Sequence, residues 1–190
     1  MNIGGRPDRT ETGSMEMSRY LLLLRHAKSD WDSDAAEDYE RPLAKRGKKD
    51  ARRMGQWMHQ EGLRPDYVVS SPAVRARETV YGVCKELGIH NDDVQFDRRI
   101  YEADAATLLA VLADCPQGPN TTLLVGHNPG LADLLTWLWG EKTTMPEDGK
   151  LLPTATLARL RMPKDWTRLE RGCARMVVLT RPRSLPMQIN

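Results

Sequence analysis

Three short apolar runs recur along the chain, and each leads into a polar segment. They are YLLLL at 20–24, DYVVSS at 66–71 and TTLLVG at 121–126. YLLLL is a continuous apolar run, which is typical of a strand that is covered on both faces by other layers of the fold. DYVVSS has a β-branched centre, and TTLLVG is closed by Gly126. The runs therefore predict three strands buried at the centre of a layered α/β structure.

Amphipathic patterns lie between and after these strands. In 46–61 and in 73–88 the apolar residues recur at i, i+3, i+4 and i+7, which is the spacing of one face of a helix. Two shorter leucine-rich patterns, 108–112 and 131–138, predict a third and a fourth helix. The alternation of strand and helix indicates a mostly parallel sheet with helices packed on it.

Two later stretches, 155–162 and 173–180, are β-rich and are separated by turn-forming residues. We interpret them as an antiparallel pair of strands that extends the sheet. The predicted fold class is thus α/β, a three-layer α/β/α sandwich around a mostly parallel central sheet.

A chain of 190 residues is long enough to bury one substantial core. We predict a single domain over 19–183, preceded by a polar disordered tail at 1–18 and followed by a short C-terminal tail at 184–190. The first 18 residues lack the apolar segment of a secretory signal peptide.

Charge and cysteine content exclude several classes of partner. The chain has 28 basic and 26 acidic residues, a net charge of +2, which gives no argument for a nucleic acid or a membrane surface. Its apolar runs are far shorter than the ~20 residues that span a bilayer. The three scattered cysteines form no zinc-binding pair and fit reduced thiols, so we expect a cytoplasmic protein without a metal or another cofactor.

The polar segments that follow the strands carry the chemistry. Arg25 and His26 follow the first strand, Arg75 the second and His127 the third. In α/β sheets, sites form beyond the carboxyl ends of the strands, so parallel neighbours would bring these four side chains together. Two guanidiniums and two helix N-termini suit a tetrahedral oxyanion, and a neutral imidazole among them can act as a nucleophile. The cluster is suited to transfer a phosphoryl group to a histidine.

These residues resemble the motifs of the histidine phosphatase superfamily, which has the phosphoglycerate-mutase-like fold. The motifs are Arg25-His26-Ala27 after a strand, SSPAVRARET at 70–79, and Gly126-His127. The short sequence segments RHAKSDW, RPLAKRG and IYEA are similar to segments of the SixA-type phosphohistidine phosphatases. All three motifs occur in order, each after a predicted strand, and the resemblance covers roughly 19–181.

The resemblance implies a role for each matching residue. His26 would be the phosphorylated nucleophile, and Arg25, Arg75 and His127 would complete the phosphate pocket. Alanine at position 27 departs from the glycine that is usual in the family, and its small side chain is expected to fit.

Other residues are candidates at the edge of this pocket. Glu102 in IYEAD is our candidate for the general acid, while Asp104 is either its competitor or the N-cap of the next helix. The candidates for substrate binding are Lys28, Ser29, Trp31 and Asn128.

The leading hypothesis is a metal-independent phosphatase that acts through a phosphohistidine intermediate on a phosphohistidine-bearing protein. A small-molecule phosphomonoesterase or pyrophosphohydrolase with the same site is the alternative among enzymes. A non-catalytic phosphoprotein-binding module is the alternative of another class. His26 argues against the last, because binding alone does not require a histidine at this position.

A site built from arginines and histidines predicts that chelation of metals leaves the reaction intact. Treatment with EDTA should not change the rate of phosphate release, because arginines and histidines, and not a metal ion, are expected to stabilise the charge on the transferred phosphoryl group. Loss of activity on chelation, restored by a divalent ion, would contradict the prediction.

Overall fold

The computed structural model of the protein describes residues 19–140, 146 and 148–185. The predicted N-terminal tail at 1–18 lies outside the described residues, as does 186–190 of the predicted C-terminal tail. Leu185, at the end of the described chain, is buried against the hydrophobic core.

A sheet of six strands forms the centre of the described structure. Its spatial order is β3-β2-β4-β1-β5-β6. The pairings among β1 to β4 are parallel, and β5 runs antiparallel to both β1 and β6. The strands are β1 Arg19–Arg25, β2 Tyr67–Ser70, β3 Val94–Phe96, β4 Thr121–Gly126, β5 Leu157–Met162 and β6 Arg175–Thr180.

Two pairs of helices cover the two faces of this sheet. Leu22 and Leu24 of β1 pack in one core cluster with the first helix pair, and Leu21 and Leu23 pack in the other cluster with the second pair. The helices are α1 Lys45–Gln60 and α2 Val74–Leu87 on one face, and α3 Ala105–Asp114 and α4 Gly130–Trp139 on the other. The expected three-layer sandwich is confirmed, and burial on both faces explains the unbroken run of leucines.

The sequence patterns did not indicate β3. It has only three residues, of which Val94 is buried while Gln95 and Phe96 are exposed. A segment this short has no hydrophobic periodicity that distinguishes it from a loop, and its pairing with β2 makes it a strand.

None of the helices in the described ranges is long and apolar enough to cross a membrane.

The register of the parallel strands brings the polar segments to one edge of the sheet. Arg25 lies opposite Gly126 across the β1–β4 pair, and the His26 N–H donates to the Gly126 carbonyl at 3.0 Å. On the other side of β4, the Ser71 N–H donates to the Val125 carbonyl at 2.9 Å. The residues that follow these three strands are therefore held beside one another.

Helix α1 packs against the segment that follows β1 through Gly47. A Cβ at this position would collide with the carbonyl oxygen of Lys28, which also accepts the Ala44 N–H at 3.0 Å. The missing side chain lets the first turn of α1 approach the backbone beside the Arg25-His26 pair.

Gly47→Ala should therefore lower the free energy of unfolding by about 1 to 3 kcal/mol, although alanine is the better helix former. Chemical denaturation measures the change. Gly118→Ala is the matched control, because nothing surrounds a Cβ there, and it should stay within about 0.5 kcal/mol of wild type. Equal stabilities for the two variants would contradict the close approach at Gly47.

Candidate active site

The nucleophile candidate His26 has its tautomer set by the backbone. Its Nδ1 lies 2.8 Å from the carbonyl oxygen of Ala27. A carbonyl oxygen can only accept, so Nδ1 carries the proton and Nε2 carries the lone pair. The ring therefore presents the nitrogen that a nucleophile needs.

His26 is also kept neutral. Burial lowers its pKa to about 3, against the opposing effect of the hydrogen bond to Ala27, and the nearby charges of Arg75, Arg25 and Arg41 lower it further. The residue is only 7% exposed. A neutral ring at physiological pH retains the lone pair that would attack phosphorus.

Ala27, where the family usually has glycine, is fully buried. Its side chain packs in a small cluster with Leu43, Ala51 and Ala155. Among the described non-glycine residues, only Glu102 and Ala155 have a positive φ, so the backbone at position 27 does not require glycine. The expectation that alanine fits here agrees with this packing.

Thr79 ties Ala27 to the second motif and was not singled out in the sequence. Its hydroxyl accepts the Ala27 N–H at 3.0 Å and donates to the Arg75 carbonyl at 2.6 Å. The signal was present, because a threonine four residues after Arg75 on a helix can reach that carbonyl. The hydroxyl links the backbone of the segment that follows β1 to the backbone of Arg75.

Both pocket arginines are anchored through their terminal nitrogens. Arg25 Nη1 donates to the Leu152 carbonyl at 2.9 Å, and Arg75 Nη1 donates to the Asp38 carbonyl at 2.6 Å. The Nε of each is buried and has no partner among the described residues. Burial lowers the pKa of Arg25, and the like charge of Arg75 adds to the effect. Two mutually repelling cations at one place are suited to hold an anion.

His127 lies beside His26, with 5.1 Å between the ring centroids. Burial lowers its pKa to about 3, and the neighbouring His26 ring and the charge of Arg75 add to this effect. Its Nδ1 is buried without a partner in the described part of the chain, and its Nε2 lies 2.8 Å from the Ser71 hydroxyl oxygen. The four residues predicted to form the pocket are brought together, and three of them offer an unpartnered buried nitrogen.

Asp38 holds Arg75 from the rim of the site. Its carboxylate pairs with Arg75 Nη2 at 2.8 Å and with Arg41 Nη2 at 2.7 Å. Burial raises the pKa of Asp38, but the charges of Arg75 and Arg41 outweigh this effect and lower it overall. The sequence did not indicate the contact of Asp38 with Arg75, which depends on how the 30–44 loop folds back.

Tyr101 is a further part of the site wall that the sequence analysis did not single out. Its ring packs edge-on against His127 with 5.5 Å between centroids, and its hydroxyl donates to Asp38 at 3.2 Å. It belongs to the IYEA segment, which was quoted for the family resemblance while only Glu102 was selected from it. The tyrosine connects the carboxylate that holds Arg75 with the second histidine.

The two carboxylates considered for the general acid lie in different settings. Glu102 is exposed, forms no hydrogen bond or ion pair with the described residues, and has a left-handed backbone with φ of 54°. Asp104 is the N-cap of α3, and its carboxylate accepts the Thr107 N–H at 2.8 Å. This hydrogen bond lowers the pKa of Asp104. Asp104 therefore has the capping role, and Glu102 stays the prediction for the acid.

The candidates for substrate binding are spread around the site. Asn128 Nδ2 donates at 3.0 Å to the Leu152 carbonyl, which also accepts from Arg25. Ser29 is buried and pairs through its backbone with Leu43, whereas Lys28 is exposed. Trp31 is 68% exposed, and its ring packs against the guanidinium of Arg41. The distance from Arg41 Cζ to the ring centroid is 3.5 Å. Asn128 is thus next to a pocket residue, and Trp31 is at the rim.

No group of three or more histidine, cysteine, aspartate or glutamate side chains in the described ranges is placed to hold a metal ion. The charged groups available to a bound anion are the guanidiniums. Their arrangement around a neutral histidine is suited to phosphoryl transfer.

Comparison with known proteins agrees with this geometry. Residues 21–109 match the histidine phosphatase superfamily (branch 1). An uncharacterized protein of Mycobacterium tuberculosis is 33% identical over 164 residues, which is 84% of this chain and all of that protein. An uncharacterized chloroplastic protein of Arabidopsis thaliana is 33% identical over 135 residues, covering 67% of this chain and 62% of that protein.

Solved structures are similar over most of the chain. A structure described as the phosphohistidine phosphatase SixA of Agrobacterium tumefaciens has a TM-score of 0.72 and 27% identity, and covers 85% of this chain and 97% of that one. The SixA structure from Nakamurella multipartitia has a TM-score of 0.74 and 26% identity, over 87% of this chain and 96% of that one. The chain belongs to the histidine phosphatase superfamily, and its enzyme class is that of a histidine-type phosphatase.

The lowered histidine pKa values predict a stability that depends on pH. Between pH 6.5 and 3, His26 and His127 take up protons in the unfolded chain but not in the folded chain. The free energy of unfolding therefore has its full value above pH 6.5 and decreases as the solution is acidified. Each buried histidine contributes a slope of at most about 1.4 kcal/mol per pH unit.

Denaturation of wild type between pH 7 and 5 measures this slope. His26→Gln should make it shallower, since the group that titrates only on unfolding is gone. His90→Gln is the control, because His90 is exposed, and it should keep the wild-type slope. The same slope in all three proteins would show that His26 is not held neutral.

Proposed function

We propose that the protein is a cytoplasmic phosphatase that hydrolyses phosphohistidine in proteins through a covalent intermediate on His26. The observation that carries the proposal is the hydrogen bond from His26 Nδ1 to the Ala27 carbonyl, which leaves Nε2 as the nucleophile. The unpartnered nitrogens of Arg25, Arg75 and His127 support it, because they suit the oxygens of a phosphoryl group. The three cysteines, all free, fit a reducing compartment.

In the first step, His26 Nε2 attacks phosphorus and forms a P–N bond. The other ring nitrogen of the substrate histidine takes a proton from solvent water. The P–N bond to that histidine then breaks, its electron pair stays on the leaving nitrogen, and the side chain departs as neutral imidazole. Arg25 and Arg75 stabilise the charge on the equatorial oxygens, since their guanidiniums are already anchored in place.

In the second step, a water molecule attacks the phosphorus of phosphorylated His26. The P–Nε2 bond breaks and its electron pair returns to the ring. Inorganic phosphate leaves with the oxygen of the water, and the proton that the water loses passes to bulk solvent. The buried Arg75 and His127 and the half-buried Arg25 hold the phosphoryl oxygens through both steps, so the pocket need not rearrange between them.

The chemistry of the rim supports a phosphohistidine substrate over a phosphate ester. An alcohol leaving group needs an acid, whereas the second ring nitrogen of phosphohistidine readily takes a proton from solvent, so that neutral imidazole leaves with little help. Asp38 is held ionised by two arginines and cannot supply a proton, and Glu102 is exposed. The exposed ring of Trp31 offers apolar contact area to a protein partner. Similarity to the two SixA structures points the same way.

The test compares substrates and traps the intermediate in one experiment. Wild type is incubated with a phosphohistidine-bearing phosphotransfer domain labelled with ³²P, and in parallel with small phosphate esters and pyrophosphate. We expect turnover of the phosphoprotein to be at least tenfold more efficient in kcat/KM. A quench should show label on the enzyme that is lost in acid, as expected of a phosphoramidate.

His26→Ala should lose about a thousandfold or more in rate and acquire no label, because the nucleophile is gone. His90→Ala is the matched control, since this exposed histidine lies outside all three motifs, and it should behave as wild type. Equal labelling of His26→Ala would overturn the covalent mechanism. Faster turnover of a small ester would assign the site to a small-molecule phosphatase instead.

A further inference from the structure

The hydroxyl group of Ser71 connects the second motif to the third. Ser71 is fully buried, and its Oγ lies 2.8 Å from His127 Nε2. The same oxygen accepts the N–H of Ala73 at 3.3 Å. Ala73 is the N-cap residue of α2, so one side chain contacts both the start of the helix that carries Arg75 and the second histidine.

The hydroxyl proton decides the direction of the bond to His127. A serine hydroxyl has one proton to donate, and a buried donor without an acceptor is costly. The Ala73 N–H is a donor and cannot accept this proton. The only acceptor that Ser71 Oγ contacts in the described part of the chain is His127 Nε2. Ser71 therefore donates to Nε2, which must carry the lone pair.

The consequence appears at the other ring nitrogen. A neutral imidazole with its lone pair on Nε2 carries its proton on Nδ1. The Nδ1 of His127 is buried and has no partner among the described residues. It is therefore an N–H donor available to a phosphoryl oxygen, whereas the other tautomer would present a lone pair and repel that oxygen.

We propose that Ser71 is a positioning residue that fixes the tautomer of His127 and thereby makes Nδ1 a hydrogen-bond donor in the phosphate pocket. The catalytic part of this inference rests on the proposed function, while the tautomer itself does not. Because burial keeps His127 neutral, two tautomers are open to it, and the hydroxyl selects one.

The neighbouring serine provides a matched control. Ser70 is also fully buried, but its hydroxyl donates to the Ser71 carbonyl at 3.0 Å and does not contact His127. Ser70→Ala thus removes a buried hydroxyl of the same kind and leaves the contact to His127 in place. Ser71→Thr keeps a hydroxyl at the position and serves as the conservative variant.

The tautomer is measured directly by long-range ¹H–¹⁵N NMR of protein with ¹⁵N-labelled histidine. Wild type, Ser70→Ala and Ser71→Thr should show the pattern of a proton on Nδ1 of His127, and Ser71→Ala should show a substantial Nε2–H population. Phosphatase assays on the same samples should show kcat reduced about ten- to a hundredfold in Ser71→Ala, with less change in KM.

A proton on Nε2 of His127 in wild type, or an unchanged pattern in Ser71→Ala, would overturn the tautomer assignment. A changed tautomer with wild-type kcat would overturn the positioning role. The dispersion of the same NMR spectra reports whether each variant is folded. Since the NMR measurement needs no substrate, it decides the assignment even if wild type does not hydrolyse phosphohistidine.

Discussion

One hydrogen bond, from His26 Nδ1 to the adjacent Ala27 carbonyl, determines what the rest of the site can do. It fixes the lone pair on Nε2, and in the proposed mechanism every other group is useful only if that nitrogen can attack phosphorus. The bond requires a fixed peptide at Ala27, which Thr79 and the buried methyl cluster provide. The packing and hydrogen bonding around Ala27 thus hold this peptide group in place.

The electrostatics of the site follow from burial together with cations. Burial makes charge on either histidine costly, and the guanidiniums of Arg25 and Arg75 increase that cost. The arginines remain charged because they cannot lose a proton under ordinary conditions. Their charge repels a proton on the rings and attracts an anion, so the same two cations that help to keep the proposed nucleophile neutral are suited to bind its phosphorylated target.

The sequence predicted what depends on period and motif. Apolar spacing predicted the layers, five of the six strands and the four helices. The three polar motifs predicted the cluster of Arg25, His26, Arg75 and His127. It did not predict the contacts of Asp38 and Tyr101, which join segments far apart in the chain. Nor did it predict β3, whose identity comes from pairing. Such features depend on tertiary geometry that local patterns do not contain.

Three backbone carbonyls, those of Ala27, Asp38 and Leu152, orient the nucleophile and the two arginines. A carbonyl is present whatever side chain its residue bears. The orientation of Arg25 is therefore encoded in the path of the main chain rather than in the identity of residue 152, whereas Arg75 also depends on the carboxylate of Asp38. Substitution of the Leu152 side chain would understate the importance of this residue, and relatives could differ at this position while keeping the same anchor for Arg25.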